Sequence, residues 1–146
     1  MADDFPAAYW DSSALIPVCV SLPQTAAAAV LYEKYSVVTW WATQVEIMSG
    51  LTRLQRMGHL SHERFLVGKQ IALDIVEGWI AVGSSESICE VACNFVESYP
   101  LRAAHALQLA AAYEFCSQQP DAFPFVTADQ RLADAARQTG FSVEFL

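Results

Sequence analysis

Three acidic side chains stand where extended segments give way to helix-forming ones: Asp11 after Ala8-Tyr9-Trp10, Glu46 one turn into the helix after Ser36-Val37-Val38-Thr39-Trp40-Trp41, and Asp129 after Phe123 to Thr127. Carboxylates gathered from distant points of a chain are oxygen ligands of the kind Mg²⁺ and Mn²⁺ prefer. A cation so held positions water and stabilises the charge of a phosphoryl transition state. Each acid also has an ordinary local account. Asp11 and Asp129 are well placed as helix N-caps, and Thr43-Gln44-Val45-Glu46 reads as a capping box with Thr43 at the N-cap and Glu46 at N3. Periodicity alone leaves both accounts open.

Two polar stripes accompany the acids. Arg102, His105 and Gln108 recur every three residues on an otherwise Ala- and Leu-rich segment, so they share one helix face. A helix apolar on its other faces is central, and a buried polar stripe needs partners. His105 is either part of a site or a hydrogen-bonded core histidine. Glu46, Ser49 and Arg53 form a comparable stripe, on which Arg53 either meets phosphate or lies on a solvated face. His59 and His62 follow Gly58 and read as a surface turn. There is no G-x-G-x-x-G, P-loop or G-x-S-x-G, which removes the simplest nucleotide-binding and serine-hydrolase chemistries. Cys19, Cys89, Cys93 and Cys116 lack paired C-x-x-C spacing and sit among apolar residues, so they are expected to be buried thiols, neither disulfides nor a zinc site.

The charge balance restricts what such a site can hold. A net charge of −8 opposes broad electrostatic binding of nucleic acid, which depends on Lys and Arg neutralising phosphates. A polyanion must instead be held locally, through divalent cations that reverse the sign of an acidic pocket, helped by a few arginines. With 54% hydrophobic, 12% aromatic and 16% charged residues, the 146-residue chain is expected to form one domain over its whole length, 1–146. Apolar helix faces left over in so hydrophobic a chain point to a homodimer. No apolar run is long enough to span a membrane, and the acidic opening Met1-Ala2-Asp3-Asp4 is unlike a signal peptide, so a cytoplasmic location is expected.

The elements that must position these residues alternate along the chain. Strands are expected at Ala8–Trp10, Ser36–Trp41, Trp79–Val82, Phe123–Thr127 and Ser142–Phe145. Helices are expected from Asp11-Ser12-Ser13, over Gln24–Tyr35, Thr43–Met57, Ser61–Glu77, from Gly83-Ser84-Ser85-Glu86, and over Leu101–Cys116 and Gln130–Gln138. Strands separated by helices favour a parallel sheet with helices on both faces, an α/β class. In such sheets ligands collect beyond the carboxyl ends of the strands.

In this order the motifs resemble the PIN-domain family, specifically the VapC-like toxins, over nearly the whole length. Tyr9-Trp10-Asp11-Ser12-Ser13-Ala14-Leu15 resembles the opening acidic motif, and Val45-Glu46-Ile47-Met48-Ser49-Gly50-Leu51 with Arg53-Leu54 the second. Phe125-Val126-Thr127-Ala128-Asp129-Gln130-Arg131-Leu132 resembles the closing T-x-D-x-R-L motif. The third, Leu101-Arg102-Ala103-Ala104-His105-Ala106-Leu107-Gln108-Leu109-Ala110, resembles L-R-x-x-D-A-L-x-L-A with the aspartate replaced by His105. The resemblance implies a three-layer α/β/α sandwich with a mostly parallel central sheet, Mg²⁺ or Mn²⁺ as cofactor, cleavage of single-stranded RNA, dimers, and neutralisation by a small antitoxin. It implies catalytic and metal roles for Asp11, Glu46 and Asp129, with Ser13 and Thr127 as supporting hydroxyls and position 105 near the metal. Arg53 and Arg102 are the candidate phosphate contacts.

Three carboxylates in place of four make the pocket less negative, which weakens Mg²⁺, whereas neutral imidazole still ligates Mn²⁺ and later metals. Two further readings stand beside the ribonuclease: a PIN-like binding or regulatory protein that has lost catalysis through His105, and a nuclease of the same fold directed at DNA.

Overall fold

A computed structural model of the chain describes residues 5–146. The Met1-Ala2-Asp3-Asp4 opening, on which the expectation about a signal peptide rests, lies outside the described residues. The elements follow the expected alternation: β1 (Ala7–Trp10), α1 (Ser12–Cys19), α2 (Thr25–Lys34), β2 (Ser36–Trp40), α3 (Thr43–Arg56), α4 (His62–Gly78), β3 (Ile80–Val82), α5 (Glu86–Ser98), α6 (Ala103–Phe115), β4 (Pro124–Thr127), α7 (Gln130–Thr139) and β5 (Ser142–Phe145). Several boundaries have visible causes. Asp11, Ser61, Ser85 and Asp129 each accept a backbone N–H of the helix they open. Gly140 ends α7 in the left-handed region at φ 112°, where a side chain would be strained.

All five strands are parallel, in the order β3-β2-β1-β4-β5. Alternating side chains of the central strands feed two cores. On one face Ala8, Trp10, Val37 and Val126 pack with Leu15 of α1, Ile47 and Leu51 of α3 and Ile75 of α4. On the other Tyr9, Val38, Trp40 and Phe125 pack with Ile88 and Phe95 of α5, Leu109 of α6 and Leu132 of α7. The chain is thus a three-layer α/β/α sandwich. No helix among the described residues is long and apolar enough to cross a membrane.

The strand order determines where a site forms. From β1 the chain moves outward through β2 to β3, then crosses back to place β4 on the other flank of β1. Connections therefore leave the carboxyl ends of β1 and β4 toward opposite layers, opening a crevice between them. Asp11 follows β1 and Asp129 follows β4, on either side of that switch point.

The cysteine expectation is corrected in part. Cys19 is buried and Cys116 half-buried, but Cys89 and Cys93 are exposed. Helix α5 turns Ile88, Ala92 and Phe95 inward, and residues 89 and 93 fall on its outer face.

Candidate metal centre

Asp11, Ser13, Glu46, Ser49, Arg53, His105 and Asp129 line one cleft of about 520 Å³ at the carboxyl edge of the sheet. The structure thus brings together the three acids, the other two residues of the Glu46 stripe, Ser49 and Arg53, and His105. Thr127 lies beneath them, buried. Arg102 stands in an adjoining depression.

Asp11 is buried at the end of a strand that is itself buried on both faces. Burial pushes its carboxyl up to about 6; hydrogen bonding from Ser13 and Thr127 opposes this, and the Glu46 charge adds to it. The Ser13 hydroxyl donates to Asp11 (2.8 Å to Oδ1, 3.0 Å to Oδ2) and accepts from the Ala128 backbone N–H at 2.9 Å. Ser13 and Thr127 Oγ1 lie 3.3 Å apart, and Thr127 Oγ1 accepts from the Asp129 backbone N–H at 3.0 Å. Two hydroxyls therefore join the β1 and β4 sides of the crevice.

Glu46 is held differently from the expected capping box. The N-cap of α3 is Ala42, with no side-chain cap, and Thr43 is already helical and buried. The Thr43 hydroxyl bonds inward, 2.8 Å from Thr39 Oγ1 and 2.9 Å from its donor, Gln108 Nε2. Thr39 in turn bonds the Trp10 carbonyl at 2.6 Å. Gln108 Nε2 also donates to Glu46 Oε2, and Gln108 Oε1 accepts from the Tyr9 hydroxyl at 2.6 Å. Because an ionised carboxylate only accepts, the amide is oriented with its nitrogen toward Glu46. Tyr9 remains a donor, since burial first, and then the Asp11 and Glu46 charges, raise its pKa well above the usual value. Burial raises the Glu46 carboxyl too, while the Gln108 bond holds it back.

Gln108 and Tyr9 are the residues that reasoning from the acids alone overlooks. The Arg102/His105/Gln108 spacing was the available signal, but the stripe divides. Gln108 is buried with every polar group engaged, His105 is partly exposed, and Arg102 is exposed. His105 Nε2 lies 3.5 Å from Asp129 Oδ2, and Asp129 Oδ1 caps α7 through the Leu132 N–H at 2.8 Å. The cap and site accounts of Asp129 are therefore compatible: one oxygen serves the helix and the other faces the cleft.

Among the described residues no Lys or Arg pairs with Asp11 or Glu46. Two carboxylates whose proton affinity burial raises, neither of them held in an ion pair, constitute a donor set suited in kind to a hard divalent ion. As the side chains stand, no three His, Cys, Asp or Glu residues among those described converge on a single point. Mg²⁺ commonly takes one or two carboxylates and completes its shell with water, which this open arrangement accommodates.

No family model and no curated protein matches the sequence. Solved structures do resemble it. A chain of the toxin-antitoxin complex from Klebsiella pneumoniae aligns with a TM-score of 0.59 and 17% identity, covering 87% of this chain and 91% of that one. PAE2754 from Pyrobaculum aerophilum aligns with a TM-score of 0.63 and 18% identity, covering 94% and 83%. At such identities the likeness is one of fold, a three-layer α/β/α sandwich around a parallel sheet.

Proposed function

We propose that the chain is a metal-dependent endoribonuclease of the VapC-like toxin type, cleaving single-stranded RNA by water attack at a carboxylate-held Mg²⁺ or Mn²⁺. The observation that carries this reading is that Asp11, buried, and Glu46, half-buried, line one switch-point cleft and that, among the described residues, neither is ion-paired to a Lys or Arg. Asp11, Glu46 and Asp129 would hold the ion, with His105 at its margin. When bound, it would supply an activated water and neutralise charge on the phosphoryl group. Ser13 and Thr127 orient Asp11, Gln108 orients Glu46, and Arg53, on the cleft wall, receives a substrate phosphate. The likeness to a chain of a toxin-antitoxin complex supports a small antitoxin as partner, and the family resemblance supports a homodimer.

One observation favours a second reading. His105 stands where the family resemblance implies a carboxylate, and it contacts Asp129. A PIN-like binding or regulatory protein without catalysis would have this feature. Single-stranded RNA incubated with purified protein across Mg²⁺ and Mn²⁺ titrations, with Asp11→Asn and Glu46→Gln as controls, separates the two. Cleavage that needs the metal and is abolished in both variants is the expected result. Absence of cleavage under every metal condition, with the metal still bound, would establish the second reading; DNA oligonucleotides in the same assay test the DNA-directed alternative.

A further inference from the structure

His105 and Asp129 are shared by two depressions. Besides the carboxylate cleft they line a second, of about 430 Å³, whose other walls are Arg102, Gln130 and Arg131. The two therefore adjoin across the His105–Asp129 contact, and their electrostatic characters are opposite. Only eight of the 146 residues are Lys or Arg, against 16 acids, yet two of the eight meet here. Arg102 and Arg131 are both exposed, and among the described residues neither forms an ion pair. The one carboxylate on the wall, Asp129, accepts the Leu132 N–H through Oδ1, and its Oδ2 lies 3.5 Å from His105 Nε2.

Building on the nuclease reading above, we propose that this second depression is a subsite for a flanking phosphate of the RNA, with Arg102 and Arg131 as its ligands. The planar guanidinium fork matches phosphate oxygens in a way a lysine does not. A chain of net charge −8 gains little from long-range attraction, so affinity must come from short-range neutralisation of individual phosphates. Carboxylate-bound cation and arginine pair, side by side, offer two such points to adjacent parts of one polyanion. A nucleoside monophosphate, with one phosphate, can engage only one of them. An oligonucleotide can occupy both, so the site selects for polymer.

Binding of a fluorescent single-stranded RNA oligonucleotide, followed by anisotropy in EDTA over a range of NaCl concentrations, tests the subsite without requiring cleavage. The Arg102→Gln/Arg131→Gln double variant is expected to bind more weakly, with the slope of log K against log salt reduced by about 1.4, or about 0.7 for each lost charge on a single strand. Arg102→Lys/Arg131→Lys should keep the slope and lose part of the affinity. Thermal melts confirm that these surface variants fold. An unchanged slope in the Gln double variant overturns the proposal. So does equal competition by polyglutamate, which would assign the arginines to an acidic polypeptide. Cleavage assayed separately keeps the two readings apart: RNA cut with an unchanged slope sinks the subsite alone, and RNA bound through the arginines but never cut sinks the nuclease alone.

Discussion

Gln108, on a helix of one layer, donates a hydrogen bond to Glu46, on a helix of the other, across the carboxyl edge of the sheet. The same amide receives the Tyr9 hydroxyl from the central strand. One buried side chain thus ties both layers and the sheet together at the carboxylate cleft.

Removing that tie has two expected consequences. Gln108→Leu leaves the buried Tyr9 hydroxyl without its acceptor and Glu46 and Thr43 without their donor, which costs about 1–3 kcal/mol of stability in denaturant unfolding. It also removes the bond that holds the Glu46 carboxyl down, so the carboxyl resonance of Glu46 should titrate at higher pH than in the wild type. A Glu46 titration curve unmoved by the substitution would show that the amide does not govern the carboxylate.

Asp11 makes stability depend on pH in a definite direction. Its folded pKa, about 6, exceeds that of an unfolded carboxyl, so the folded state retains the proton longer. The stabilising contribution is therefore complete below the ordinary carboxylate range and is lost as pH rises to and through about 6, a change of about 3 kcal/mol. Metal-free protein should melt at a lower temperature at pH 7.5 than at pH 5, and Asp11→Asn, which retains a capping oxygen, should flatten that difference. Mg²⁺ or Mn²⁺ should raise the melting temperature most at the higher pH, where both carboxylates are ionised.

His105→Asp tests the position at which the family resemblance implies a fourth carboxylate. A carboxylate beside Asp129 in place of the imidazole, now 3.5 Å away, adds repulsion without metal, roughly 0.5–1 kcal/mol for a partly exposed pair. With metal the extra oxygen ligand should give a larger thermal shift in Mg²⁺ and a smaller preference for Mn²⁺ than the wild type shows. Identical metal responses in the two proteins would place His105 outside the metal's reach.

Two glycines should respond unequally to alanine. A Cβ at Gly68 of α4 would lie 2.6 Å from Val20 Cγ1 and 3.2 Å from the Cys19 carbonyl oxygen, so the backbone at the end of α1 blocks it. Gly68→Ala is expected to cost about 1–3 kcal/mol as overpacking. At Gly50 the close contact is Ile16 Cδ1, at 2.5 Å, the far end of a side chain that can rotate away. Gly50→Ala should be the milder change, and chemical denaturation of both variants ranks them.

The element pattern was legible because its signals are local. β-Branched and aromatic runs marked the strands, and Ser61, Ser85, Asp11 and Asp129 marked helix starts. The alternation then required crossovers and hence a parallel sheet. Asp11 and Asp129 could be placed at strand ends for the same reason, although local pattern cannot choose between a cap and a site role; in the structure Asp129 Oδ1 caps α7 while Oδ2 lies 3.5 Å from His105 Nε2.

Long-range partnership was not legible in this way. Thr43 and Glu46 satisfied the local capping-box pattern, yet Thr43 is taken up by Thr39 and Gln108 and Glu46 by Gln108, partners as far as 65 residues away. Cys89 and Cys93 sat among apolar neighbours in the sequence and emerged on the outer face of α5, because inward and outward are set by which face meets the sheet. The sequence by itself determined the elements and the candidate acids, since capping, turn chemistry and periodicity act within a few residues. Only the tertiary structure decided that β4 returns beside β1, that the crevice between them gathers those acids, and that Gln108 and Tyr9 hold Glu46, because a buried polar group bonds whatever packing brings within reach, however distant in sequence.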